Sequence, residues 1–235
     1  MQERFVITDI PLNIPLPELL RAARIEDDPL DDDYCTVKAM LAGALACARP
    51  KFVYGLAAVT AKGDNFVIIE GCKIVSPLVR ANLDKTQRIV PYVATCGVEV
   101  DRWSQQFTDV LEQYWADLIK NKILHQAAAI MRTTVKARYF PAADFSQMNP
   151  GSLPAWPLTQ QTVLFDLIGH VERDTGVALT ESCLMLPSKS VSGFFFSSAI
   201  HFENCALCPM PHCPGRRVPM SDKNRQRQTG PDQGM

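Results

Sequence analysis

Cys205, Cys208 and Cys213 form a C-x2-C-x4-C array near the end of the sequence. A C-x2-C turn aims two thiolates at one soft cation, and a third thiol a few residues on closes one face of the site. The prolines and glycine of Asn204–Arg217 predict a stiff loop rather than a helix or strand. A fourth ligand has to come from elsewhere, either Cys183 at a predicted strand edge or His201 and His212, whose imidazoles suit zinc better than an iron–sulfur cluster. The array therefore reads as an iron–sulfur site on Cys205, Cys208, Cys213 and Cys183, as a zinc site, or as free and partly oxidised thiols in a frayed tail.

Two further stretches carry polar chemistry. In Pro187–Gly193, Ser188, Ser190 and Ser192 with Lys189 put hydroxyls and a cation at a turn, which suits a phosphate or carboxylate and equally a plain hairpin. Gln147–Pro157 is rich in proline yet too apolar for a linker, so it predicts an irregular loop that lines a surface or a ligand. The aspartates of Asp27–Asp33 lack the spaced oxygen ligands and central glycine of a calcium loop and read as a solvated turn that caps the next helix. No Ser-His-Asp set, phosphate-binding glycine loop or paired catalytic carboxylates stand out, which removes support for hydrolase and kinase chemistry.

The elements that must position these residues follow from periodicity. After an extended N-terminal piece, Glu18–Ile25 reads as a short helix, and a second helix begins at Cys35 or Thr36, runs through Val37, Met40, Leu41, Ala44 and Ala48, and is stopped by Pro50. Phe52–Val59 and Phe66–Ile69 read as a hairpin, Ser76-Pro77 as a helix start, and Gln87–Thr95 as a third strand. From Asp101 to about Lys136 the apolar set Phe107, Val110, Leu111, Leu118, Ile119, Ile123, Ala127, Ile130 and Met131 keeps one helical period without Gly or Pro. That predicts a single helix of roughly 50 Å, with His125 packed or at its rim. Thr159 is placed to cap a helix through Ile168, and strands are predicted at Ala178–Leu186 and Ser190–Ser197. Cys35, Cys47, Cys72 and Cys96 read as ordinary buried thiols.

With 235 residues, 47% of them hydrophobic, the chain can bury a sizeable core, and its net charge of −1 gives nucleic acid binding little electrostatic support. No segment reaches the ~20 apolar residues of a membrane span, and the N-terminal sequence lacks a signal peptide, so no membrane partner and a cytoplasmic location are expected.

The order of motifs adds to this. Thr95-Cys96-Gly97-Val98-Glu99 precedes the long helix. Asn149-Pro150-Gly151-Ser152-Leu153 follows it, with Trp156-Pro157-Leu158 and Gln160-Gln161 close behind. Gly176 to Ser182 and Pro187-Ser188-Lys189-Ser190-Val191-Ser192-Gly193 complete the series. Together they resemble the activation domain of cobalamin-dependent methionine synthase, above all its stand-alone bacterial relatives.

The resemblance implies an α/β domain of the α+β type: a curved, mainly antiparallel sheet with flanking helices, one of them long. It also implies docking over a corrinoid protein or cobalamin-dependent methyltransferase and support for reductive remethylation of inactive cobalamin presented by that partner. S-adenosylmethionine is the methyl donor in the synthase, held along the loop that corresponds to Gln147–Pro157. By that correspondence Gln147, Asn149 and Ser152 are candidate ligand contacts, Pro150, Gly151, Trp156 and Pro157 shape the loop, and Glu181, Lys189, Ser190, Ser192 and Gly193 belong to the cleft.

Gln147 and Ser152 stand where the synthase loop has an arginine and a tyrosine, and no acid stands near His125, where the family often has a glutamate. A charge-assisted bond of about 1.5–3 kcal/mol is then missing unless Arg138 or Lys189 replaces it. If the thiol array holds an iron–sulfur cluster, it supplies an electron rather than a methyl donor. The implied division is residues 1–30 as an extended and short-helix segment, 31–200 as the activation-like domain, 201–220 as a Cys-rich loop and 221–235 as a disordered tail.

Overall fold

In the computed structural model the described residues are 1, 3–197, 202–208 and 218–219. The long strand β2 (Lys51–Lys62) is the organising element of an open antiparallel sheet. On one edge its first half pairs with β1 (Glu3–Ile7) and its second half with β3 (Phe66–Ile69). A bulge between Val59 and Ala61, within the pairing with β3, bends the strand. Beyond β3 lies β4 (Cys72–Val75), paired in register from Phe66 with Val75 to Ile69 with Cys72. The other edge of β2 pairs with β5 (Arg88–Thr95), then β9 (Ser190–Ser197), and β6 (Phe145–Met148) closes that side.

Helices cover both faces, which is why the central strand β5 is buried almost without interruption and reads as a continuous apolar run. Val90, Tyr92 and Ala94 face one core, formed with α1 (Leu16–Ala23), α2 (Asp32–Cys47), α4 (Val98–Ser104) and α5 (Val110–Tyr139). Ile89 and Val93 face the other, formed with α3 (Pro77–Asn82), α6 (Gln161–Ile168) and α7 (Val171–Thr175). The alternation continues in β9, where Phe195 joins the first core and Phe194 and Phe196 the second. The N-terminal 30 residues belong to the same body: β1 extends the sheet, and Leu19 and Leu20 are buried in the first core. Arg4 ties β1 to the other layer through the Ile168 and Gly169 carbonyls and the Asp174 carboxylate.

Several local expectations are met. Ser76 Oγ accepts from Val79 N at the start of α3, and Asp31 caps α2 by accepting from Tyr34 N. Others are corrected. The long helix is broken: α4 ends at Ser104, and α5 starts afresh because Asp109 accepts from both Leu111 N and Glu112 N. Phe107 keeps the apolar period across the break by packing edge-on against Trp103. The strand expected over Ala178–Leu186 is reduced to β7 (Ala178–Leu179) and β8 (Met185–Leu186), separated by a turn in which Cys183 has a left-handed φ of 62°. Thr159 lies within a 3-10 turn over Leu158–Gln160 and does not cap α6. Of the four thiols expected to be buried only Cys96 is; Cys47 and Cys72 are half-buried and Cys35 is exposed. Among the described residues no helix is long and apolar enough to cross a membrane.

Candidate functional site

The site is built where β5, β9 and β6 lie side by side. Gln147, expected in an irregular loop, is in strand β6 and pairs with Phe195 of β9. At the next step Gly193 lets three groups converge, because a Cβ there would stand 2.2 Å from Met148 O, 2.7 Å from Asn149 Nδ2 and 2.8 Å from Tyr92 Oη. Asn149 Nδ2 donates to Tyr92 Oη and to Ser192 O, each at 2.7 Å, and Gln147 Nε2 also donates to Tyr92 Oη. The Tyr92 ring is stacked on Phe195 at 4.6 Å, so its hydroxyl has a fixed position.

A guanidinium stands behind this network. Arg132, on α5, donates from Nη1 to Gln147 Oε1 at 3.2 Å and lies 4.3 Å from the centre of the Phe145 ring. Arg138 and Lys189, the expected replacements for the arginine that the strand lacks, are engaged elsewhere. Arg138 lies over Phe5 and pairs with Glu3, and Lys189 pairs with Asp117 at 2.8 Å. Sequence reasoning missed Arg132; the available signal is its position seven residues after His125, which brings both to the same side of α5 after two turns.

The loop after β6 is fixed by its own backbone. Gly151 has φ +78° and its N–H donates to Trp156 O at 2.8 Å, while Leu153 and Trp156 form an isolated bridge. Trp156 is buried against Phe194 at 5.1 Å, behind the loop and away from the groove, with no hydrogen-bond partner for Nε1 among the described residues. In front of the loop a cavity of about 460 Å3 runs between Asn149, Pro150, Ser152, Leu158 and the segment Leu184–Ser192. Ser152 and Ser188 line it, while the exposed Leu184 and Leu186 give it an apolar rim.

Other expected cleft residues are committed internally. Ser190 Oγ is 2.9 Å from Thr95 Oγ1 and 2.7 Å from Pro187 O, and Ser192 Oγ donates to Gln161 Oε1 at 2.8 Å. Glu181 is exposed on the turn between β7 and β8, and Pro157 leads into the 3-10 turn. With Lys189 paired as well, the polar groups of Lys189, Ser190 and Ser192 all have partners within the fold, and the segment joins β8, which pairs with β7, to β9 without a hairpin between them.

A second cavity, about 520 Å3, adjoins the first and shares Asn149 and Ser152 with it; His125, Ala128, Asn204, Cys205 and Cys208 line the rest. Burial first, then the charges of Lys122 and Lys189, hold the His125 imidazole below its usual pKa, so it is neutral near pH 7. Cys205 sits in a short helix, α8 (Asn204–Leu207), which forms because the prolines of this stretch begin only at Pro209. Asn204 Nδ2 donates to Asn149 Oδ1 at 3.1 Å and Leu207 is buried in the second core, fastening α8 to the loop.

Among the described residues no three His, Cys, Asp or Glu side chains come together as a metal site. Cys183 lies in its turn with its carbonyl accepting from Gln161 Nε2, and it does not join Cys205 and Cys208 at their cavity. Cys213, His201, His212 and residues 221–235 lie outside the described residues.

The sequence profile described as "Vitamin B12 dependent methionine synthase, activation domain" matches residues 75–202, more than half of the chain. The chain belongs to this family. The matched segment begins at the end of β4 and contains the groove, the loop after β6, α5 with Arg132, and β9. A solved structure, "Crystal Structure of the MetH Reactivation Domain bound to AdoHcy", is similar in fold with a TM-score of 0.58 and 17% identity, covering 86% of this chain and 81% of that one. No curated protein matches the chain.

Proposed function

We propose that this activation-family domain supports reactivation of a corrinoid- or cobalamin-dependent methyltransferase, holding S-adenosylmethionine in the groove between the Asn149–Ser152 loop and the Leu184–Ser192 segment. The observation that carries the reading is this groove, placed inside the family-matched segment, in a fold similar to a reactivation domain bound to AdoHcy.

The residues present suit such a ligand. The cavity is within the usual span of about 300–1,000 Å3 for small-molecule sites. Leu158, Leu184 and Leu186 offer an apolar surface to an adenine face, and the Ser152 and Ser188 hydroxyls, which have no hydrogen bond among the described residues, offer polar contacts. Arg132 supplies positive charge from behind Gln147 for the amino-acid carboxylate, a role that the strand position no longer fills. When bound, the ligand supplies an electrophilic methyl group on a sulfonium. The chain's own task is then to orient it at an open mouth and to exclude water once a partner covers that mouth. Leu184 and Leu186 on the rim suit that docking. So do Val110, Leu111 and Tyr114 on the first turns of α5, because Asp117 of α5 pairs with Lys189 beside the rim.

Calorimetric titration of the full chain with S-adenosylmethionine and S-adenosylhomocysteine tests the reading. Saturable binding to one site, weakened at least tenfold by Leu186→Glu without a change in melting temperature, is expected; absence of binding by both ligands refutes it. One observation favours a second reading, a docking module that presents no methyl donor: the Gln147 amide is held by Tyr92 and Arg132, so it is not free to receive a carboxylate. Retained binding to a corrinoid protein without binding of either ligand selects this second reading.

A further inference from the structure

Cys205 lies inside α8 and Cys208 directly follows it, so the two residues between them are helical. Three helical steps put the two Cα atoms about 5 Å apart, inside the range of about 4.4–6.8 Å that a disulfide spans. Both thiols are partly accessible and line the same cavity, which adjoins the groove at Asn149 and Ser152. The other described cysteines are placed differently. Cys96 and Cys183 are buried, and burial pushes the Cys96 thiol up to about 12. Cys35 is on α2, Cys47 ends the same helix, and Cys72 begins β4. The helix that carries the pair is anchored by buried Leu207 and by the bond from Asn204 to Asn149, so the thiols stay beside the groove wall.

We propose that Cys205 and Cys208 form a redox-active dithiol that interconverts with an intramolecular disulfide by exchange with a low-molecular-weight disulfide of the glutathione class. The thiolate of one cysteine attacks a sulfur of the small disulfide, forms a mixed disulfide and expels one small thiolate. The thiolate of the second cysteine then attacks the protein sulfur of that mixed disulfide and expels the other. Two protein thiols are oxidised, one small disulfide is reduced to two thiols, and the two protons leave with them. The pair acts in this way whether or not the neighbouring groove holds S-adenosylmethionine.

The test uses the unaltered full chain, equilibrated in glutathione buffers from fully reducing to fully oxidising, alkylated and digested with trypsin. The tryptic peptide Ser190–Arg216 contains Cys205, Cys208 and Cys213 as its only cysteines. It is expected to pass, with one midpoint, from a triply alkylated form to a singly alkylated form in which fragmentation places the label on Cys213 and a disulfide between Cys205 and Cys208. Cys205→Ser and Cys208→Ser should each abolish that form. The proposal is overturned if the peptide stays triply alkylated in every buffer or if Cys205 or Cys208 pairs instead with Cys213 or another cysteine. Stoichiometric zinc or iron that blocks alkylation of both residues in the freshly purified protein overturns it as well.

Discussion

Gly193→Ala probes the convergence on which the site depends. Gly193 lies in the extended strand β9, so the cost of a methyl group is steric. Its Cβ would meet the Met148 carbonyl at 2.2 Å, where an ordinary contact between a carbon and a carbonyl oxygen is about 3.3–3.6 Å. Strand β6 must therefore move away by about 1 Å. That displacement breaks the two 2.7 Å bonds from Asn149 to Tyr92 Oη and Ser192 O. Two bonds at about 0.5–1.5 kcal/mol each, plus about 1–3 kcal/mol for overpacking, give a destabilisation of about 2–6 kcal/mol. Urea denaturation measures it directly. Gly71→Ala is the control: Gly71 has φ +86° with nothing within 4 Å of its would-be Cβ, so only the left-handed backbone cost of about 1–2 kcal/mol applies. A Gly193→Ala protein that loses less than Gly71→Ala, with an unchanged affinity for S-adenosylhomocysteine, refutes the crowded convergence and the dependence of the groove on it.

Three other outcomes follow from specific contacts. Trp156→Phe keeps the packing on Phe194 and removes an N–H with no partner among the described residues, whose burial costs about 1–3 kcal/mol; stability within about 1 kcal/mol of the parent is expected, and a loss above about 3 kcal/mol contradicts it. Arg132→Ala should weaken S-adenosylmethionine and S-adenosylhomocysteine about tenfold, with partial rescue by Arg132→Lys, while the affinity for adenosine, which has no carboxylate, stays the same; equal losses for all three ligands would make Arg132 merely structural. Hydrogen bonding from Arg173, together with the Arg4 ion pair, lowers the Asp174 pKa to about 2, so its stabilisation is complete above the unfolded value near 3.8 and is lost as pH falls through about 2. Asp174→Asn should therefore lower stability by about 1–2 kcal/mol at neutral pH and converge with the parent at the acid end, as melting temperatures from pH 2 to 6 will show.

Much of the fold is written in local signals. Ser76-Pro77 starts α3 because a serine cap and a proline at the first helical position act within one turn, and β9 occupies Ser190–Ser197 because its aromatic run has turn residues at its start. Other features depend on partners distant in sequence. The break before α5 is hidden because Trp103 and Phe107 satisfy the helical apolar period through a side-chain contact, without a continuous helix. Strand β6 is hidden because Ser146 and Gln147 carry no strand signature, and only the edge of β9 makes them extended. The groove-forming loop is legible from Gly151 and its prolines, whereas the internal use of Ser190 and Ser192 depends on Thr95 and Gln161, residues 95 and 31 positions away.

The charge at the site shows most clearly why a motif comparison and a three-dimensional reading diverge. The resemblance implies a cation at the position of Gln147, where this chain has a neutral amide. In space a cation still stands beside that position, because Arg132 of α5 donates to Gln147 Oε1 at 3.2 Å, and the proposed function assigns this charge to the ligand carboxylate. Its place on the helix has a structural consequence. Arg132 is also stacked on Phe145, whose ring packs against Phe140 at the end of α5 and edge-on to Phe195 in β9. The Arg132 charge is thereby built into the contact between helix and sheet, so under the proposed function recognition and local stability share one side chain. Arg132→Lys separates them, because a lysine keeps the charge but neither the planar stack nor the forked geometry.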